Sequence, residues 1–243
     1  EYGGGVCIYP GRDGEQMPFS MSGGSIIGCV ASDIGGGVYT SGKFQMSGQA
    51  VIRSCTAEST TFNCGGGVYV NLSSEFVMSG EAKIEGCQVI SEYANGGGVY
   101  VNSSSSFVMT DKAKIKGCQA IATPSSPSKG GGVHLANNTK FTLSGSAVIQ
   151  NCRADNSDGS GKAYGGGVSA ANVREITLAD SARIADCIAA NGSGLYITGS
   201  QVYPADYGKL LANGGSVEGD VVLGEANNPC TVIGSGGTVF NGK

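Results

Sequence analysis

The chain has no tryptophan, a single histidine and little charge, with only 14% of its 243 residues charged. Its 15 Lys and Arg residues face 19 Asp and Glu residues, for a net charge of −4. This balance disfavours a nucleic-acid groove and a polybasic membrane anchor. No apolar run approaches the ~20 residues of a membrane-spanning helix. We therefore expect no nucleic-acid partner and no membrane insertion in this segment.

Glycine, in contrast, is abundant and falls at regular intervals. The tetrapeptide Gly-Gly-Gly-Val begins at residues 3, 35, 65, 96, 130 and 165, and a degenerate copy begins at Gly192. A fixed period of this size is typical of a solenoid, in which each unit buries its apolar face only against its neighbours. The sequence predicts one domain over residues 1–243. Six clear repeats fill residues 3–191, and degenerate turns with a C-terminal cap fill residues 192–243.

Within a repeat, apolar residues alternate with polar ones over three to five positions between Gly, Ser and Asn residues. This period of two predicts strands. Three short strands per repeat of ~30 residues predict an all-β fold, a right-handed parallel β-helix of seven to eight turns. Equivalent residues of successive turns then form inward columns, headed by Val38, Thr40, Phe44, Met46 and Ile52 in the second turn. Phe44, Phe76 and Phe107 are expected to stack in one interior row.

Six of the nine cysteines occupy one repeat position: Cys29, Cys55, Cys87, Cys118, Cys152 and Cys187. Neighbouring turns of a sheet lie ~4.8 Å apart, but in-register parallel side chains are poorly aligned for a disulfide. A linear column also lacks the convergence that a zinc site needs. We expect a structural column of buried, reduced thiols and no bound metal or cofactor. Cys7, Cys64 and Cys230 lie outside the column and could pair or remain free.

If the valines of a Val-Tyr-Val segment face inward, the residue between them faces outward. This position predicts an outward row of Tyr39, Tyr69, Tyr100 and His134, with rings within ~5 Å of one another. Exposed aromatic rings on a flat sheet suit sugars or an apolar patch of a partner protein, so the row is a candidate ligand-binding surface. Alternatively, the rings only stabilise the stacking of turns. The loops at 121–129 and 155–164 would then be the favoured site.

The block Gly65-Gly-Gly-Val-Tyr-Val70, with Phe76-x-Met-Ser-Gly80 and Ile84-x-Gly-Cys87, resembles repeats of large surface or secreted proteins of host-associated bacteria. The resemblance extends from Gly3 to about Asn191. It implies a right-handed parallel β-helix of the pectate-lyase-like class and a role as an adhesin, passenger or stalk. It also implies a secreted or cell-surface location, with signal and anchor outside this segment, and a glycan or host protein as partner.

Many polysaccharide lyases and hydrolases share that fold, so a carbohydrate-active enzyme, or its sugar-binding module, remains the alternative. Such enzymes need converging carboxylates together with a base or a paired acid. Asp111 and Asp180 share a turn position two turns apart, and Asp180, Arg183 and Asp186 could line a shallow site. Asp155 and Asp158 belong to a long, solvated polar loop, and Arg153, Arg174 and Arg183 are scattered. A Ser-His-Asp set is implausible with one histidine in a structural column. We therefore favour a non-catalytic protein.

Overall fold

The computed structural model describes residues 2–59, 62–199, 207–224, 230–235 and 237–241, without the side chains of 62–64. Its described strands form an all-β parallel solenoid of about six turns. Four sheets run along the solenoid axis, and each strand pairs with the equivalent strands of the turns before and after it. The predicted fold class is therefore confirmed, but the solenoid has about six turns rather than the seven to eight that the sequence predicted.

Sheet 1 has eight strands. The first six follow the six glycine triplets, the seventh follows the degenerate copy at Gly192, and the eighth follows Gly219-Asp220. They are Val6–Ile8, Val38–Thr40, Val68–Val70, Val99–Val101, Val133–Ala136, Val168–Ala171, Leu195–Thr198 and Val221–Leu223.

Sheet 2 has fourteen strands, because most turns cross it in two segments separated by a tight turn. The first segments are Pro18–Met21, Lys43–Met46, Glu75–Met78, Ser106–Met109 and Lys140–Leu143. The second segments are Ser25–Ile27, Val51–Arg53, Lys83–Glu85, Lys114–Lys116 and Val148–Gln150. Two later turns cross it in one long strand, and the last described turn again uses two: Glu175–Ala185, Lys209–Glu218, Thr231–Gly234 and Val239–Asn241.

Sheets 3 and 4 are smaller. Sheet 3 consists of Val30–Ala31, Thr56–Glu58, Gln88–Ser91, Gln119–Ala122 and Arg153–Asn156, and sheet 4 of Phe62–Cys64, Tyr93–Asn95, Ser128–Lys129 and Ala163–Tyr164. A complete turn therefore contains five short strands rather than the three that the sequence predicted. Sheets 3 and 4 were missed because their strands are short and their inward residues are mostly alanine and serine, which give a weak apolar alternation.

The predicted inward columns are present in the strand register. Val38 pairs with Val68 and Val68 with Val99, and the Phe, Met and Ile columns continue in the same way through sheet 2. The rings of Phe44, Phe76 and Phe107 stack with centroids 4.8 Å apart and planes inclined by 5°. These columns form the main core, which is closed off from water along the inner turns.

A narrow waist separates this main core from a second, smaller one. At the middle residue of the triplet, an added Cβ at Gly97 would lie 2.4 Å from the carbonyl carbon of Gln119. The equivalent position at Gly131 would lie 2.3 Å from the carbonyl carbon of Arg153. Sheet 3 therefore touches the glycine backbone directly, and no side chain fits between them. Beyond this glycine waist lies the alanine core, formed by Ala57, Val89, Ala94, Ala120 and Ala122.

The first glycine of each triplet allows a left-handed bend in the backbone. Gly96 has φ +68°, and an added Cβ there would lie 2.3 Å from the carbonyl oxygen of Val99. An L-residue is strained at this φ and would also meet the following strand. The triplet thus bends the chain sharply between sheets 4 and 1. This bend places the residue before each triplet beside the outer face of sheet 1.

Candidate functional site

The outward row on sheet 1 is stacked along the solenoid axis, in the order that the repeat predicted. Tyr39 pairs with Tyr69, Tyr69 with Tyr100 and Tyr100 with His134. Their ring centroids are 5.7, 5.2 and 5.1 Å apart, and the last two pairs are close to parallel. The spacing follows from the parallel register, which places equivalent side chains one strand apart.

These rings are nevertheless buried, so the expectation of an exposed aromatic surface is wrong. The relative solvent exposure is only 5% for Tyr39, 6% for Tyr69, 8% for Tyr100 and 3% for His134. The four side chains face away from the main core, and the three tyrosines pack in a separate cluster with Ala136, Cys7 and Ile34. The row is therefore an outer core with little area for a ligand.

Two neighbouring columns cover the row, one on each side. The residue before the glycine triplet contributes one: Tyr2 stacks on Tyr39 with centroids 5.3 Å apart, and Tyr164 contacts Tyr196 at 4.9 Å. The residue after each sheet 1 strand contributes the other, and Asn102 Nδ2 donates to the Tyr69 hydroxyl at 3.3 Å. The fixed position directly before each triplet was the sequence signal for this cover.

His134 is a neutral member of the row. Its Nδ1 lies 3.2 Å from the carbonyl oxygen of Ser169 in the next turn. Burial, with the nearby charge of Lys129, lowers the pKa of His134 to about 3. Burial also lowers the pKa of Lys129. The imidazole is therefore uncharged at neutral pH, and its contacts are those of a stacking ring.

The repeated cysteines form a column beside the glycine waist. All six have free thiols; the last five are buried, and Cys29 in the first turn is partly exposed. The Sγ atoms of Cys55 and Cys152 donate to the carbonyl oxygens two residues earlier, at 3.4 and 3.3 Å. Contact with Cys152 and Cys87, together with burial, raises the pKa of Cys118. A buried thiol with a raised pKa, such as that of Cys118, is a poor nucleophile.

The remaining cysteines lie elsewhere. Cys7 and Cys230 have free thiols and are half-buried. The thiol of Cys230 donates to the carbonyl oxygen of Gly208 at 3.2 Å. Cys64 was also named from the sequence, but its side chain lies outside the described residues. Within the described part of the chain, no group of three His, Cys, Asp or Glu residues is arranged to hold a metal ion.

The carboxylates considered for catalysis have structural partners. Asp111 and Asp180 occupy left-handed turn positions, with φ +58° and +59°. Each carboxylate accepts a hydrogen bond from a glycine amide of the preceding turn, Gly80 at 2.9 Å and Gly145 at 2.8 Å. Both side chains thus fasten one turn to the next. This role was not visible in the sequence, where the position is occupied by glycine in some turns and by aspartate in others.

The shallow site suggested around Asp180 is not assembled as a unit. Arg183 forms a bidentate pair with Glu218 of the next turn, at 3.0 and 2.9 Å. That contact raises the pKa of the Arg183 guanidinium. Asp186 lies at a left-handed turn with φ +54°, exposed to solvent. Arg153 pairs with its near neighbour Asp155 at 2.6 Å on the surface.

The two long loops at the corner between sheets 3 and 4 hold each other in place. The amide of Ser125 donates to Asp158 Oδ2 at 2.7 Å, and Lys162 Nζ donates to the carbonyl oxygen of Ser125 at 2.8 Å. Asn156 Nδ2 adds a bond to the carbonyl oxygen of Ser126 at 3.2 Å. Amide donors from Ser160 and Ser125 lower the pKa of Asp158. We call residues 123–127 and 157–162 the corner loops; most of their side chains are exposed.

Comparison with known proteins yields no relative for this chain. No protein-family model matches it, and neither does any curated protein or solved structure. The described residues also include no helix with the length and apolar character to span a bilayer.

Proposed function

We propose that this chain is a non-catalytic solenoid scaffold of a bacterial surface or secreted protein, which holds its corner loops out for a glycan or host-protein partner. The observation that carries the proposal is the pair of braced loops. They project from a rigid stack of turns, and their bonds cross between turns, as from Ser125 to Asp158. A loop already held in one conformation loses less entropy on binding than a mobile one.

The surface of the scaffold supports this choice. The aromatic row, the other candidate for binding, is buried under its neighbouring columns. Among the carboxylates considered for catalysis, Asp111 and Asp180 are engaged with glycine amides and Asp155 with Arg153. The corner loops are the longest departures from the repeat in residues 35–191, and loops on a rigid scaffold are the usual carriers of specificity.

The test is a glycan-array screen beside an extracellular-matrix binding panel, each with the wild-type chain and two variants. In the first variant, residues 157–162 are replaced by one glycine, close to the single residue that the third turn has here. The second, Lys114→Ala, removes an exposed side chain on sheet 2 and serves as the control.

We expect the loop variant to lose binding while Lys114→Ala binds as the wild type does. Equal binding by the loop variant would transfer the site to another surface. Turnover of a polysaccharide would instead favour the carbohydrate-active enzyme. Silence in both screens, with a folded protein, would leave a structural stalk as the function.

A further inference from the structure

The thiols of the cysteine column occupy the same position in successive turns. The Sγ atoms of Cys87 and Cys118 each lie 3.6 Å from the carbonyl oxygen two residues earlier. An added Cβ at Gly67 would lie 3.4 Å from the Cys87 sulfur, and one at Gly98 would lie 3.3 Å from the Cys118 sulfur. Because each sulfur has the same surroundings, the sulfur atoms repeat along the axis with the strand spacing of ~4.8 Å.

Backbone pairing holds this column in register. The amide of Gln88, directly after Cys87, donates to the carbonyl oxygen of Cys55 at 2.9 Å, and Gln119 donates to that of Cys87 at 2.9 Å. The last five thiols of the column belong to the main core. Neighbouring thiols therefore face one another in a fixed line inside the protein.

The electrostatic surroundings of the gaps between these sulfurs suit a cation. The carbonyl oxygen of Ile84, in the same turn as Cys87, lies 3.8 Å from the sulfur of Cys118 in the next turn. Hydrogen bonds from the thiols of Cys118 and Cys55 lower the pKa of Cys87 to about 4. Contact with Cys152 and Cys87 raises the pKa of Cys118. Within this pair, Cys87 is thus the thiol that gives up its proton more readily.

We propose that neighbouring thiols of the cysteine column bind a soft monovalent cation, Cu(I), with one ion held in a line between two sulfur atoms. Each ion displaces the proton of one thiol, and this proton is released to solvent. The other thiol keeps its proton, so the pair stays uncharged, as burial in the main core favours. The exchange of one cation for one proton needs no oxidant or reductant.

The spacing of the column matches the length of such a unit. Thiolate sulfur is a ligand that selects Cu(I), and Cu(I) commonly takes two sulfur ligands in a line. With metal–sulfur bonds of ~2.3 Å, as for zinc, a linear sulfur–metal–sulfur unit is ~4.6 Å long. The repeat of the column is ~4.8 Å, so the side chains need to move little. The straight line of sulfurs that disfavours a tetrahedral zinc site is therefore the arrangement that a two-coordinate ion requires.

The same line limits how many ions the column can hold. A sulfur shared by two ions would have them on opposite sides along the axis, whereas sulfur forms bent bonds. Each thiol therefore serves one ion, and the ions occupy separate pairs of neighbouring turns. The six cysteines of the column form three such pairs. Which thiols remain, and not only how many, then decides how many ions a variant binds.

The proposal is tested with two double variants that each remove two thiols from the column. Cys55→Ala/Cys118→Ala leaves one pair of neighbours, and Cys29→Ala/Cys55→Ala leaves two. Each protein, reduced with a phosphine, is refolded from urea with excess Cu(I) without oxygen and then desalted. Native mass spectrometry counts the bound ions, and far-UV circular dichroism verifies folding. All three proteins keep the cysteines outside the column, so any ion bound there adds equally to each count.

We expect the wild type to bind one ion more than Cys29→Ala/Cys55→Ala, and this variant to bind one ion more than Cys55→Ala/Cys118→Ala. Equal counts for the two double variants would overturn the proposal, because the number of thiols alone would then decide binding. X-ray absorption of the copper-loaded wild type is independent of whether the variants fold, and it should show two sulfur neighbours for each ion. Three or four sulfur ligands, nitrogen or oxygen ligands, or a wild type that retains no copper would also overturn it.

Discussion

The phenylalanine stack inside the main core offers a quantitative test of how neighbouring turns support each other. Phe76 is fully buried and lies between Phe44 and Phe107, each with a ring centroid 4.8 Å away. Truncation of a buried phenylalanine to alanine costs about 3–5 kcal/mol, through lost burial and the cavity left behind. Each stacked pair accounts for about 0.5–1.5 kcal/mol of such an effect, and Phe76→Ala removes two of them. We therefore expect a loss near the upper end of that range.

Phe19→Ala is the matched control. It lies in the same column, but it is half-buried and has one ring neighbour, Phe44, at 5.5 Å. Its loss should be about half as large. Urea denaturation followed by circular dichroism measures both changes, and amide hydrogen exchange should locate the Phe76 effect in the adjoining turns, because a turn contacts only its neighbours. Equal losses for the two variants would refute the reasoning, since position within the stack would then have no effect.

Four further outcomes follow from the structure. Gly97→Ala should unfold the waist, because the new Cβ would meet the Gln119 backbone. Gly86→Ala, with open space around the new Cβ, should lower the free energy of unfolding by only about 1 kcal/mol. Similar melting temperatures for the two variants would contradict the close packing of the waist. Because His134 is buried as a neutral imidazole, it is protonated in the unfolded state before it is protonated in the folded state. The free energy of unfolding should therefore fall by about 1.4 kcal/mol per pH unit as pH drops from ~6.5 toward 3. Urea titrations of His134→Tyr should lack this slope. The pKa of Cys118 is raised in the folded protein, so above pH ~8.5 the unfolded thiol ionises and the folded one does not. The free energy of unfolding should therefore fall as pH rises above ~8.5. Cys118→Ala should show a shallower alkaline decline, and thiol labelling of the native protein should be slow. The phenylalanine column ends at Phe141, and a small apolar cavity lies beside Ile176 in the next turn. Ile176→Phe should therefore raise the melting temperature. A lower melting temperature would mean that the cavity is too small for the ring.

The sequence by itself determined the repeat, the strand class and the register. Period-two alternation assigns each residue of a strand to one face, and a constant repeat then places equivalent residues in columns one strand apart. That is why the phenylalanine row, the cysteine column and the stacking of Tyr39 on Tyr69 could be predicted without coordinates. It is also why Asp111 and Asp180 could be assigned to one turn position, although not to their glycine amide partners.

Only the tertiary structure decided which outward residues reach water. Alternation places Tyr69 outside the main core, but its exposure depends on the angle at which the chain arrives from sheet 4. The left-handed first glycine and the close approach at the second set that angle, and together they bring one column of side chains over the row. The same approach divides the interior at the glycine waist. The waist arises from backbone contacts between segments more than twenty residues apart, such as Gly97 and Gln119, for which a local sequence pattern contains no signal.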